Sequence, residues 1–412
     1  MSRRASQRTR TAILGALWLA GCSSGDANAP ATTMRDSAGI AITENDLARL
    51  PASCTIPSTP TVSIGTAEGD DAYQLFRVMG ARRLGDGRIV VVNQGSQQIR
   101  FYDRNGKFLS QAGRSGRGPG EFSTAFGLWV LPGDTIWVGD YRPWQFLVFG
   151  PDGTWNRTVR PAPQYANRPP FHYVLEDGRS VLAQEPYERR DKSEFTLQHL
   201  TVVVHGPDGA LIDTVGTYPN GRIGNMGADP SGPWLTPHFE SFTRAAAAGS
   251  HIAIGHGSVP ELFVYRAADS VRLKGLIRWT TVDRTVSPDD IAAERKRIRA
   301  QGAGMEPGMF RNLVEPQLRE DRPAADQFPA FSGIIAARDG RFWVREYPTP
   351  DRPDSRNYLA FDADGRFVCR AAMPSFADVF EVGKDYLIAL DRDSLGVERV
   401  LQFPIAGPVD AK

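Results

Sequence analysis

The stretch DGRIVVVNQGSQQIRFYDRNGKFLSQAG, Asp86–Gly113, reads as turn, strand, polar turn, strand, Asp-x-x-Gly turn, strand. Its apolar runs are short, β-branched or aromatic, and bounded by Gly, Asn and Asp, the residues of tight turns. The same grammar returns in GDTIWVGDYRPWQFLVFGPDGTWNRTV, Gly133–Val159, and again from Asp177 with a longer middle loop. It recurs loosely from Gly249, closely from Asp339, and from Lys384 without a final strand. One more apolar segment, such as FGLWVL or SGIIAA, precedes each unit. Units of four strands repeated in this way predict an all-β, six-bladed β-propeller over residues 53–412, with the sixth blade one strand short. PTVSIG, Pro60–Gly65, has no other partner and is expected to close the ring as the outer strand of the last blade, protecting an open edge. Cys54 lies just before that strand and Cys369 in the outer strand of the fifth blade. They form either a disulfide that staples the closure or two independent buried thiols.

Composition agrees. Of 412 residues, 41 are glycine and 30 proline, many for a helical chain, while a hydrophobic content of 41% supplies a core. The net charge of +1 gives no electrostatic footprint for nucleic acid. One segment departs from the strand pattern: SPDDIAAERKRIRAQGAGMEPGMFRNLVEPQLRED, Ser287–Asp321. Ser287 suits an N-cap, Pro288 the first turn, and Asp289 and Asp290 the positive end of a helix. A helical insertion over about 287–322, between blades four and five and split by Gly302–Gly308, is expected to lie across one face of the ring as a cover or a lid.

The first residues are a targeting signal rather than structure. MSRRASQRTR is basic, and TAILGALWLA is an apolar run too short to span a bilayer. The run ends in LAGC, Leu19–Cys22, which resembles the lipobox of bacterial lipoproteins. The resemblance implies a signal peptide over 1–21, lipidation of Cys22, and a flexible tether over 22–52. Ser23 rather than Asp after the cysteine implies the outer membrane, so the membrane, reached through the anchor, is an expected partner. Cleavage removes four arginines and no acid, taking the net charge from +1 to −3.

GRSGRGPGEF, Gly113–Phe122, has the glycines of a phosphate loop, but a strand follows it and Lys-Ser/Thr is missing. With the strands after it, the run resembles the NHL repeat, in which such a segment links the outer strand of one blade to the inner strand of the next. The resemblance is good through Asp86–Gly153 and implies that Phe122 plugs the junction. Arg114 and Arg117 then have only a minor claim on an anionic ligand. More broadly the chain resembles bacterial six-bladed propeller lipoproteins.

Aligned on the end of their second strands, the six units place Asn93, Asp140, Gln184, His256, Glu346 and Asp391 at one level. Such a ring could surround the channel mouth. Asp140, His256, Glu346 and Asp391 are able to bind a divalent metal or to act as acid and base. Equally, each could tie its own turn through side-chain to backbone hydrogen bonds. Trp129, Trp137, Trp144 and Trp155 cluster in the second unit, where they fit core packing or sugar stacking. His-x-x-x-His does not occur, and Gly-x-Ser-x-Gly occurs only at Gly21–Gly25, where the signal segment ends, and not as an elbow after a strand. The sequence therefore favours a lipid-anchored envelope module that binds a protein, peptide or glycan without catalysis and with no cofactor. The alternatives are a lactonase- or lyase-type enzyme using a divalent metal in the central channel, and a carbohydrate- or peptide-binding protein that uses an aromatic rim.

Overall fold

The computed structural model describes residues 30–142, 144–165, 168–185, 194–226, 233–374 and 378–408. The expected signal segment and Cys22 lie outside them. Six sheets follow one another along the chain. The first contains Val78–Arg83, Ile89–Asn93, Gln98–Tyr102 and Phe108–Ala112 as an antiparallel meander. The second repeats this with Ala125–Leu131, Thr135–Asp140, Gln145–Phe149 and Trp155–Val159. The innermost strands of the remaining sheets are His172–Val174, Thr243–Ala248, Phe331–Ala336 and Asp378–Val382. The last inner strand contacts the first, so the sheets close into a β-propeller. Val62–Ile64 pairs antiparallel with Glu398–Pro404 and completes the sixth sheet.

The repeated Asp-Gly-Arg turns join one sheet to the next. Arg88, Arg179 and Arg341 each pair with the Asp two residues earlier. Each guanidinium also reaches into the following sheet: Arg88 donates to the Pro151 carbonyl, Arg179 to those of Ala267 and Ala268, and Arg341 to those of Gly383 and Lys384. The Asp-x-x-Gly turns bind backward. Gly365 has φ +82°, and a Cβ there would lie 2.8 Å from Ile277 of the preceding sheet, so glycine is needed for both conformation and approach. Hydrophobic clusters fill the spaces between adjacent sheets. Phe122 is fully buried in one of them with Leu84, Phe101, Ile136 and Phe149. Arg114 pairs with Glu121 at 2.6 Å.

Of the flexible tether expected over residues 22–52, the described part, from residue 30, is corrected: it is folded onto the propeller. Thr32–Ser37 and Ile40–Asn45 form a hairpin, and its second strand runs parallel to Val271–Trp279, enlarging the fourth sheet to six strands. The polar, charged surface of the segment hid two anchors. Ile42 is buried. Asn45, also buried, is fully satisfied: its Nδ2 donates to the carbonyls of Gly365 (2.9 Å) and Arg278 (3.1 Å). Its Oδ1 accepts from the Phe367 backbone (2.9 Å) and the Thr32 hydroxyl (3.1 Å). The hairpin thereby fastens the fourth sheet to the fifth.

Cys54 and Cys369 form a disulfide. The segment around Cys54 also bonds to both neighbouring sheets, from Cys54 N to the Arg370 carbonyl and from Thr55 N to the Ala406 carbonyl. The insertion comprises helices α1, Pro288–Gln301, and α2, Pro307–Leu313, followed by a short 3-10 turn, Glu315–Leu318. Ser287 and Asp290 form a reciprocal capping box, and Gly302 ends α1. Arg322 and His238 tie the insertion to the segment before the fourth sheet. No described helix is long and apolar enough to cross a membrane.

Candidate ligand-binding channel

The sheets of a propeller stand edge-on to its axis, so consecutive residues of the innermost strands border the channel. All six strands contribute to one central cavity of about 470 Å³. The second and third sheets supply an aromatic wall, Phe126, Trp129, His172 and Tyr173, flanked by small groups, Gly80 of the first sheet and Ala246–Ala248 of the fourth, with Ile334 and Ile335 of the fifth also lining the cavity. A register shift at Phe126/Leu128, with Gly127 at φ +78°, produces this wall. A Cβ on Gly127 would lie 2.6 Å from the Trp129 ring, so the bulge needs glycine for that ring to sit where it does.

His172 is held by rings, its centroid 5.5 Å from Phe126, 5.8 Å from Trp129 and 4.9 Å from Trp144. Its Nδ1 lies 3.1 Å from the Pro169 carbonyl, which can only accept, so Nδ1 carries the proton and Nε2 is left as an acceptor. Burial, with a smaller contribution from Arg168, pushes its pKa down to about 4, and the ring is neutral at pH 7.

Charge collects where the inner strands of the first and sixth sheets end. Arg82 donates to the carbonyls of Ala81 and Phe380. Glu381 Oε2 accepts the backbone N–H of Arg83 at 2.7 Å, while its Oε1 lies 3.5 Å from Arg338. Burial raises the Glu381 carboxyl, against the pull of Arg82 and Arg338, and lowers the Arg82 guanidinium. The cavity thus has an aromatic wall and one strongly polar end.

The ring of second-strand residues stands elsewhere. Asn93, Asp140, His256 and Glu346 pair with Val78, Ala125, Thr243 and Phe331, the first residues of their inner strands. The Arg82–Glu381 end lies at the other termini of those strands, and none of the six ring residues lines the central cavity. Asn93 accepts from the Phe76 backbone and donates to Ser96. Asp140 accepts from the Thr124 backbone at 2.6 Å and from Ser123 and Gln145 side chains. Gln184 donates to the Tyr165 hydroxyl, His256 Nδ1 bonds to the Ser258 hydroxyl, and Glu346 pairs with Arg370. Asp391 is half-buried, opposite Arg399 across the ladder. The residues are spread over six sheets, five of the residues with side-chain partners nearby, and among the described residues no group of three or more His, Cys, Asp or Glu could hold a metal. Trp129 reaches the cavity, Trp137 and Trp144 are core, and Trp155 is partly exposed.

The residues that do line the channel had a weak sequence signal. Arg82 and Arg338 are charges at the end of apolar inner strands, in ARRLGDG and AARDG, and Glu381 interrupts VFEVG. A charge inside an otherwise buried strand is the feature that could have marked them.

No protein-family model and no curated protein matches the chain. Among solved structures it is similar to a Bacteroides fragilis protein, at 13% identity, covering 85% of this chain and 97% of that one with a TM-score of 0.46. It is similar also to a gluconolactonase from Xanthomonas campestris (12% identity, 86% and 98% covered, TM-score 0.40). A third is regucalcin, a calcium-binding protein from Agrobacterium tumefaciens (9%, 82% and 93%, TM-score 0.36). At these identities and TM-scores the likeness carries no inference about activity.

Proposed function

We propose that the protein is an exported, NHL-like propeller, lipid-anchored through Cys22 at the outer membrane, that binds a small amphipathic ligand in its central channel without transforming it. The observation that carries this reading is the cavity itself: an aromatic wall at Phe126, Trp129 and His172, flanked by small groups, with Arg82 and Glu381 at one end. Such a lining favours a flat apolar body and fixes its orientation through a few polar groups. The Cys54–Cys369 disulfide fits an oxidising compartment outside the cytoplasm, as does the basic and apolar start of the chain. A metal-dependent lactonase or lyase is the competing reading, and it needs a convergent ligand set.

Trp129 provides the reporter. Titration of the soluble domain with neutral aromatic compounds should quench its fluorescence saturably, and Trp129→Phe should remove that signal. A stoichiometric metal in the purified protein, together with hydrolysis of lactones, would replace this reading with the enzymatic one. Retention of the Cys22→Ala protein in the detergent phase would count against the anchor.

A further inference from the structure

A second cleft, of about 170 Å³, opens between the fifth and sixth sheets and shares the walls Ile334, Ile335 and Val379 with the central cavity. Arg345, Arg356 and Asp378 line it. Its arginines differ from those around them. Arg341, Arg352, Arg366 and Arg370 each hold an acidic partner. The Nε atoms of Arg345 and Arg356 are instead buried, with no hydrogen-bond partner among the described residues. A guanidinium keeps its charge at any accessible pH, and a buried donor left unpaired costs about 1–3 kcal/mol. Both guanidinium groups also line the cleft, with no acidic group within 4 Å among the described residues, and two such charges side by side suit the oxygen atoms of an anion. Asp378 faces both arginines and Arg392, and Arg392 is already engaged by Glu398.

We propose that this cleft is an oxyanion subsite of the channel. Arg345 and Arg356 hold a carboxylate or phosphate group, while the apolar remainder of the same ligand passes Ile334 and Ile335 into the central cavity. The proposal rests on the channel-binding reading and narrows its ligand to an amphipathic anion. Asp378 is the opposing charge that keeps the affinity for a bare anion low.

The test uses the whole chain from Ser23, without lipid, and three probes: inorganic phosphate, benzoate and neutral 2-naphthol. Phosphate and benzoate should bind saturably by calorimetry, and the more strongly bound of the two identifies the head group. Arg345→Gln and Arg356→Gln should each weaken that binding about tenfold, as loss of one charge-assisted pair implies. Arg356→Lys should restore part of it, and Asp378→Asn should strengthen it several-fold. Arg352→Gln, outside the cleft, should change nothing. Equal loss of naphthol and anion binding in an arginine variant would mean general disruption and overturn the assignment. So would unchanged anion binding in both glutamine variants, or its absence in the wild type. Naphthol binding with no anion binding overturns the subsite but leaves the channel reading. Anion binding with no naphthol binding supports the subsite and removes the channel reading.

Discussion

Glu381 Oε2 accepts the backbone N–H of Arg83 at 2.7 Å, across 298 residues of sequence. Glu398 does the same for Val78 at the other end of that strand, also at 2.7 Å. Two buried carboxylates of the sixth sheet therefore pin the first inner strand, Val78–Arg83, at both termini. This is where the ring joins its end to its beginning.

Glu381→Ala strips that contact and leaves Arg82 and Arg338 without their counter-charge. Arg338 is exposed, so the loss is mainly that of a buried charge-assisted hydrogen bond, about 1–3 kcal/mol. Glu381→Gln keeps an oxygen for Arg83 N and is expected to lose less. Amide exchange in Val78–Arg83 should accelerate more in the alanine variant than in the glutamine variant. Equal protection in both would mean that the Glu398 contact suffices.

The disulfide adds a covalent closure. Cys54 and Cys369 are separated by 315 residues, so the cross-link removes much freedom from the unfolded chain. The Cys54→Ala/Cys369→Ala double variant is expected to lose roughly 3–5 kcal/mol. Urea unfolding of the two proteins checks this. A loss under about 1 kcal/mol would assign the closure to hydrogen bonds and packing.

His172 predicts a pH dependence. Its native pKa of about 4 lies below the ordinary value of 6.5, so the unfolded chain takes up the proton first. Stability from this group is complete above pH 6.5 and is lost as pH falls toward 4, by at most about 3 kcal/mol. His172→Phe should flatten the slope between pH 7 and 5 relative to the wild type. An unchanged slope would assign the dependence to the other buried histidines, such as His238, whose pKa is also pushed down to about 4 by burial.

Asn45 is expected to matter more than its place near the start of the chain suggests. Asn45→Ala leaves the Phe367 N–H and the Gly365 and Arg278 carbonyls short of partners, a cost of about 2–4 kcal/mol. Asn45→Asp sets a carboxylate oxygen against the two carbonyls and should be no better. Limited proteolysis within residues 30–46, with urea midpoints, tests both. Wild-type resistance in both variants would show that Ile42 and the parallel ladder hold the hairpin alone.

Much of the fold was legible because its signals are local. Alternating apolar runs, Asp-x-x-Gly turns and a capping serine act within a few residues, so the strand meanders, the closing strand at Pro60–Gly65 and helix α1 follow from the sequence. The hairpin at 32–45 was not legible, because its strands are mostly exposed and polar and are stabilised by carbonyls more than 230 residues away. The candidate site shows the same division. The sequence by itself determined that polar residues end each second strand, but the backbone groups that Asn93 and Asp140 bond, Phe76 and Thr124, lie in the segments leading into the inner strands and not in their own turns. Only the tertiary structure decided which side chains share a space. Arg82 meets Glu381, and Arg345 joins Arg356 beside Asp378, only because the ring brings distant strands together. The physical reason is that turn chemistry and alternation are properties of neighbours along the chain, whereas a cavity and its electrostatics are properties of neighbours in space.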